Sequence, residues 1–138
     1  MAIPDTGGVP AIDVADETFV AATPETVARY VSNPDRWEAW FDGLTLVVGE
    51  DRGTLGVRWL VLGALVGTAE IWIEPVGDGA LIHLFLRGQT QGRASRRAHR
   101  TASSRWGLRV KTVAFGIKDA LEEGRYTRPP RPQQQVTS

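Results

Sequence analysis

Hydrophobic and polar positions along this chain change period at Leu44. Upstream, residues 12–22 (IDVADETFVAA) end in a strand-like stretch, and Thr23-Pro24-Glu25 then opens a helix. Thr23 is placed as N-cap, Pro24 at the first helical position and Glu25 in the positive first turn. Val27, Ala28 and Val31 give that helix an apolar side. Asn33-Pro34-Asp35 repeats the start signal and predicts a second short helix over Arg36 to Phe41, anchored by Trp37, Trp40 and Phe41. Downstream, LTLVVGE, TLGVRWLVL, VGTAEIWIE and ALIHLFLR read as strands. Asp51-Arg52-Gly53, Gly63-Ala64-Leu65 and Val76-Gly77-Asp78-Gly79 separate them, which is the punctuation of antiparallel hairpins. The segment Gly88–Arg93 is too polar and glycine-rich to assign. A helical period returns from about Ala94 to Glu122 and stops at Gly124. One domain is expected over residues 12–123, between a flexible lead (1–11) and a disordered Pro/Gln-rich tail (124–138).

Side-chain chemistry fixes the strand registers. Pairing across Val76–Gly79 sets Ile73 opposite Ile82, Ile71 opposite Leu84 and Ala69 opposite Leu86, so one face is aliphatic. The other face carries Glu70, Trp72 and Glu74 against Phe85, His83 and Leu81. A three-residue loop at Gly63–Leu65 aligns Leu55, Val57, Trp59 and Val61 with the aliphatic face and puts Arg58 opposite Glu70. A slip of one residue would bury Arg58 among aliphatics, and that penalty decides the register. The cover for this face is the long helix, on which Ala102, Trp106, Val110, Val113, Ile117 and Leu121 form one stripe at 100° per residue. Toward the helix start the same stripe holds Ser103, His99 and Ser95, while Arg93, Arg96, Arg97, Arg100 and Lys111 lie opposite. The expected result is a space between helix and sheet that protein only partly fills.

Composition narrows the chemistry more than it identifies it. The 138 residues suit a single globular domain, with 42% hydrophobic and 23% charged residues. There are no cysteines, which excludes disulfides, thiol catalysis and Cys-based metal sites. With two histidines and no HExxH, no metal or cofactor is expected. GxGxxG, GxxxxGK[ST] and GxSxG are also absent. No apolar run reaches membrane-span length and the first ten residues lack a signal-peptide pattern, so the expected location is the cytoplasm. Net charge is zero, yet residues 1–89 hold 13 acids and 5 bases whereas residues 90–138 hold 3 acids and 11 bases. Residues 93–111 contain seven bases and no acid. A solvated helix face, anionic lipid and nucleic acid are the readings of such a run. A pI of about 6.7 argues against nucleic acid.

The strand, the TPETVARYVSNPDRWEAW segment with its two short helices, the strand meander and the long last helix together resemble the SRPBCC superfamily. This group includes START-like lipid carriers and the polyketide cyclase/dehydrase-like proteins of actinobacteria. The resemblance spans about Ile12 to Glu123 and is strongest over Ala22–Trp40 and the Trp59–Gly79 hairpins. It implies an α+β helix-grip fold, a curved antiparallel sheet wrapped around the C-terminal helix, with a cavity for hydrophobic small molecules. Fold alone does not fix the reaction.

Three functions follow as expectations. The first is a binding protein for a small hydrophobic, lipid- or polyketide-like molecule. Trp40, Trp59, Ile71, Leu84, Trp106 and Val110 would supply apolar walls, and His99 and Ser103 the polar end. The second is a polyketide cyclase/dehydratase-type enzyme with His83 or His99 as base. The third is an accessory subunit with a closed cavity. Trp72, His83 and Phe85, on the outer sheet face, are the candidate interface with a second copy or another protein.

Overall fold

A computed structural model describes residues 11–90 and 95–126, the last three through their backbone alone. The expected tail beyond Tyr126 and all of the expected lead except Ala11 lie outside the described residues. In chain order the elements are β1 (Ile12–Val20), α1 (Pro24–Val31), α2 (Pro34–Trp40), β2 (Leu44–Asp51), β3 (Gly56–Gly63), β4 (Leu65–Val76), β5 (Gly79–Thr90) and α3 (Arg96–Tyr126). A 3-10 turn, Gly53–Leu55, precedes β3.

The two short helices form because their starts are capped by side chains. Thr23 Oγ1 accepts the Thr26 N–H at 3.2 Å and Asn33 Oδ1 accepts the Asp35 N–H at 3.0 Å, each followed by proline in the first turn. The Trp37 indole N–H donates to the Val31 carbonyl at 2.8 Å, satisfying the end of α1 from within α2. Its ring meets Trp59 edge-on at 5.2 Å, which ties this helical corner to the sheet.

The five strands form one antiparallel sheet in the order β1-β5-β4-β3-β2. Ile73 pairs with Ile82, Ile71 with Leu84, Ala69 with Leu86 and Arg58 with Glu70, the registers that burial and charge require. Val57, Trp59, Val61, Ala69, Ile71, Ile73, Ile82, Leu84 and Leu86 are all buried on the inner face. From α3, Trp106, Val110, Val113, Ala114 and Ile117 close over it, with Ala102 and Leu121 partly buried at the ends of the stripe.

Several local expectations are corrected. Leu55 belongs to the 3-10 turn and is half exposed, so the inner face of β3 begins at Val57. β5 runs through Gly88 to Thr90, because Gly88 faces Gly67 across a close strand approach. A Cβ on Gly67 would overlap the Arg87 carbonyl, and one on Gly88 would press on the Val66 carbonyl. Ser95 does not point at the sheet; its Oγ accepts the Ala98 N–H at 3.1 Å and caps the start of α3. Lys111 reaches Asp16 of β1 at 3.3 Å. Finally, α3 continues through Gly124 to Tyr126, three residues into the segment assigned to the tail.

Candidate functional site

Trp40, Trp59, Ile71, Leu84, Trp106 and Val110 come together in a single buried cluster. Trp40 also meets Trp59 edge-on, at 6.4 Å, so two indole rings from α2 pack on Trp59. Its own N–H is fully buried without a hydrogen-bond partner among the described residues. His99 and Ser103 lie apart from this cluster. They line a shallow pocket of about 410 Å³ with Ala11, Arg96 and Arg100, where His99 Nε2 is 3.1 Å from the Ala11 carbonyl oxygen.

An open groove of about 550 Å³ runs along the flank of α3, lined by Asp42, Ala64, Arg105, Trp106, Leu108, Arg109 and Thr112. Trp106 is the element shared between the buried cluster and this groove. The opposite wall is made by two turns clasped together, the Ala64 N–H donating to the Gly43 carbonyl at 3.2 Å. Gly63 sits at φ 120°, and a Cβ there would overlap that same carbonyl, so both the conformation and the approach call for glycine. On the helix side Arg109 is anchored, donating to the Ala39 carbonyl at 2.9 Å, whereas Arg105 is exposed and has no partner among the described residues. Arg105 and Arg109 are one turn apart and flank Trp106, so an i, i+4 arginine pair beside an aromatic was the signal in the sequence. The Asp42-Gly43 and Gly63-Ala64 corners looked only like turns, and nothing local says that they meet.

The outer sheet face holds the interface candidates. Trp72 is exposed, Phe85 half-buried, and His83 is only 8% exposed. Trp72 stacks on His83 at 4.4 Å, and the imidazole is held between two carboxylates, Nε2 at 2.9 Å from Glu74 and Nδ1 at 3.2 Å from Glu17. Both ring nitrogens are therefore engaged, and the sheet separates them from the groove. Among the described residues no three His, Asp or Glu side chains are placed to hold a metal ion. No described helix is long and apolar enough to cross a membrane.

The architecture has clear counterparts among solved structures. A START superfamily protein from Mycobacterium smegmatis superposes with a TM-score of 0.66 at 13% identity, over 80% of this chain and 97% of that one. The fold is the START-like, SRPBCC-type helix grip. The di-domain ARO/CYC StfQ of the steffimycin biosynthetic pathway shares it with a TM-score of 0.59 at 14% identity, over 83% of this chain and 51% of StfQ. The Aha1 dimer from Colwellia psychrerythraea does so with a TM-score of 0.58 at 15% identity, over 83% and 98%. No protein-family model and no curated protein sequence matches the chain. At these identities the helix-grip likeness speaks for the fold alone.

Proposed function

We propose that this helix-grip protein binds a small, largely apolar molecule in the groove beside Trp106. The observation that carries the reading is the groove itself. Its size lies within the range of small-molecule sites, it has an indole floor and a Leu108 wall, and an unpartnered arginine stands at its rim. Arg105 would take a polar or anionic end of the ligand, while Asp42 across the groove restricts how much negative charge fits. The START and ARO/CYC neighbours support a ligand-binding use of the fold. Catalysis by a histidine base has less support, because neither His83 nor His99 lines the groove. We also propose that Trp72, His83 and Phe85 mark a contact with a second copy, a reading in keeping with the dimeric Aha1 neighbour.

The test combines native mass spectrometry of the purified full chain with titration by 1-anilinonaphthalene-8-sulfonate, an apolar anion. Ala64 is exposed at the rim, so Ala64→Trp fills the groove without touching the core. The expected result is a loss of about ten-fold in affinity, roughly 1.4 kcal/mol, with an unchanged melting temperature. Unchanged affinity in that variant would remove the groove as the binding site.

A further inference from the structure

The outward face of α3 combines two features that the core and the groove leave unexplained. One is unpaired positive charge. Among the other basic side chains, Arg52, Arg58, Arg87, Lys111 and Lys118 have a carboxylate within salt-bridge distance, and Arg36 and Arg109 donate to backbone carbonyls. Arg97, Arg100 and Arg105, to either side of this face, have side chains with neither an ion-pair nor a hydrogen-bond partner among the described residues. The first acid on the helix is Asp119. The other feature is apolar exposure just beyond that charge along the helix. Leu108 is 66% exposed and Phe115 48% exposed. They are seven residues apart, two turns, and therefore lie along one line of the helix surface. At 100° per residue Arg97, Thr101 and Ser104 fall close to that line, and the buried side of α3 is opposite.

We infer that this face docks α3 lengthwise on an anionic phospholipid surface, with the arginines on the lipid phosphates and Leu108 and Phe115 set among the headgroups. Charge complementarity selects an anionic partner. The exposed Leu and Phe select one that offers apolar depth immediately behind its phosphates, which a bilayer does and a nucleic-acid backbone does not. The polar rest of the face limits insertion to these two side chains, so attachment is peripheral and reversible. The groove opens beside Leu108 and Arg105, at the edge of the same face, but the docking stands whether or not the groove holds a ligand.

The experiment is flotation of the full chain with vesicles of phosphatidylcholine alone and of phosphatidylcholine mixed equally with phosphatidylglycerol, at low and high salt. Binding to the mixed vesicles, release by salt and little binding to the neutral ones are expected. Arg97→Gln/Arg100→Gln should weaken partitioning by about twenty-five-fold, at roughly five-fold for each arginine. Phe115→Ser should weaken it further. These are exposed positions outside the groove, and thermal melts check that both variants keep the wild-type fold. Failure of the wild type to float, equal binding to neutral vesicles, or wild-type binding by the double arginine variant overturns the inference. So does tighter retention on a mixed-sequence DNA duplex than on the anionic vesicles, which would assign the face to nucleic acid. Titration with 1-anilinonaphthalene-8-sulfonate in the absence of lipid separates failure of this surface from failure of the groove.

Discussion

Replacing Trp59 with phenylalanine and, separately, with alanine measures how completely the space between sheet and helix is filled. Trp59 is fully buried, packed edge-on by Trp37 and Trp40, and its indole N–H has no partner among the described residues. Trp59→Ala removes the whole ring and should cost about 3–5 kcal/mol. Trp59→Phe leaves a void of about 40 Å³, which at ~24 cal/mol per Å³ costs ~1 kcal/mol. It also deletes the orphaned donor, whose burial without a partner costs about 1–3 kcal/mol in the wild type. The two terms offset each other, so Trp59→Phe should lie within ~1 kcal/mol of the wild type. Urea unfolding followed by far-UV circular dichroism reads this as a near-unchanged midpoint for Trp59→Phe and a large decrease for Trp59→Ala. If Trp59→Phe is as damaging as Trp59→Ala, the N–H has an internal partner, such as a bound water or ligand. The region around Trp59 would then be a polar cavity and not packed core.

Other predictions address separate parts of the molecule. Gly67→Ala should destabilise by more than ~3 kcal/mol, because its Cβ would overlap backbone and not a movable side chain; Gly77→Asn, at a tight turn with open space around it, should change stability by less than ~1 kcal/mol in the same urea series. Thr23→Ala removes the N-cap of α1 and should cost about 1 kcal/mol, visible as a lower melting temperature. Trp72→Ser should move the protein to a later elution volume in size exclusion if the outer sheet face joins two copies. An elution volume equal to that of the wild type would discard that interface.

Burial and charge made most of the fold legible in the sequence. The β3, β4 and β5 registers could be read because one slip would place Arg58 among aliphatics, and Arg58 indeed lies opposite Glu70. The prediction did not anticipate Arg52, which also reaches Glu70, at 2.9 Å, since it enters from the 3-10 turn and strand periodicity says nothing about turns. Gly88 illustrates the opposite failure. A glycine among polar residues looks like a break, and only the pairing with Gly67 reveals that it permits a close strand approach. The candidate site was legible only in part for the same reason. Trp106 stands on a periodic element and was found. Asp42 and Ala64 stand on turns whose meeting depends on a long-range hydrogen bond, and they were not. His83 was placed on the correct face, but its contact with Glu17 was not foreseen, because β1 and β5 have three strands between them in sequence and are neighbours in the sheet.

The uneven composition of α3 explains why the groove, the buried cluster and the arginine face all meet at one helix. Its C-terminal half turns Val110, Val113, Ala114 and Ile117 to the sheet and is fixed by Lys111 to Asp16, by Lys118 to the Phe19 carbonyl and by Glu122, which accepts the Ala21 N–H. That half carries the fold. Its N-terminal half has only small or polar residues at the equivalent positions, Ala102, Ser103 and His99, and Trp106 is the first large side chain to reach the core. A helix with little to bury along its first turns is left with accessible flanks. The groove beside Trp106 and the unpaired arginines above it are both consequences of that gap in the apolar stripe. Filling the gap with large aliphatic residues would extend the core and anchor the helix start more firmly. The wild-type sequence leaves it unfilled and sets Arg97, Arg100 and Arg105 beside it without side-chain partners among the described residues, a combination in keeping with the binding proposed at this end of the helix.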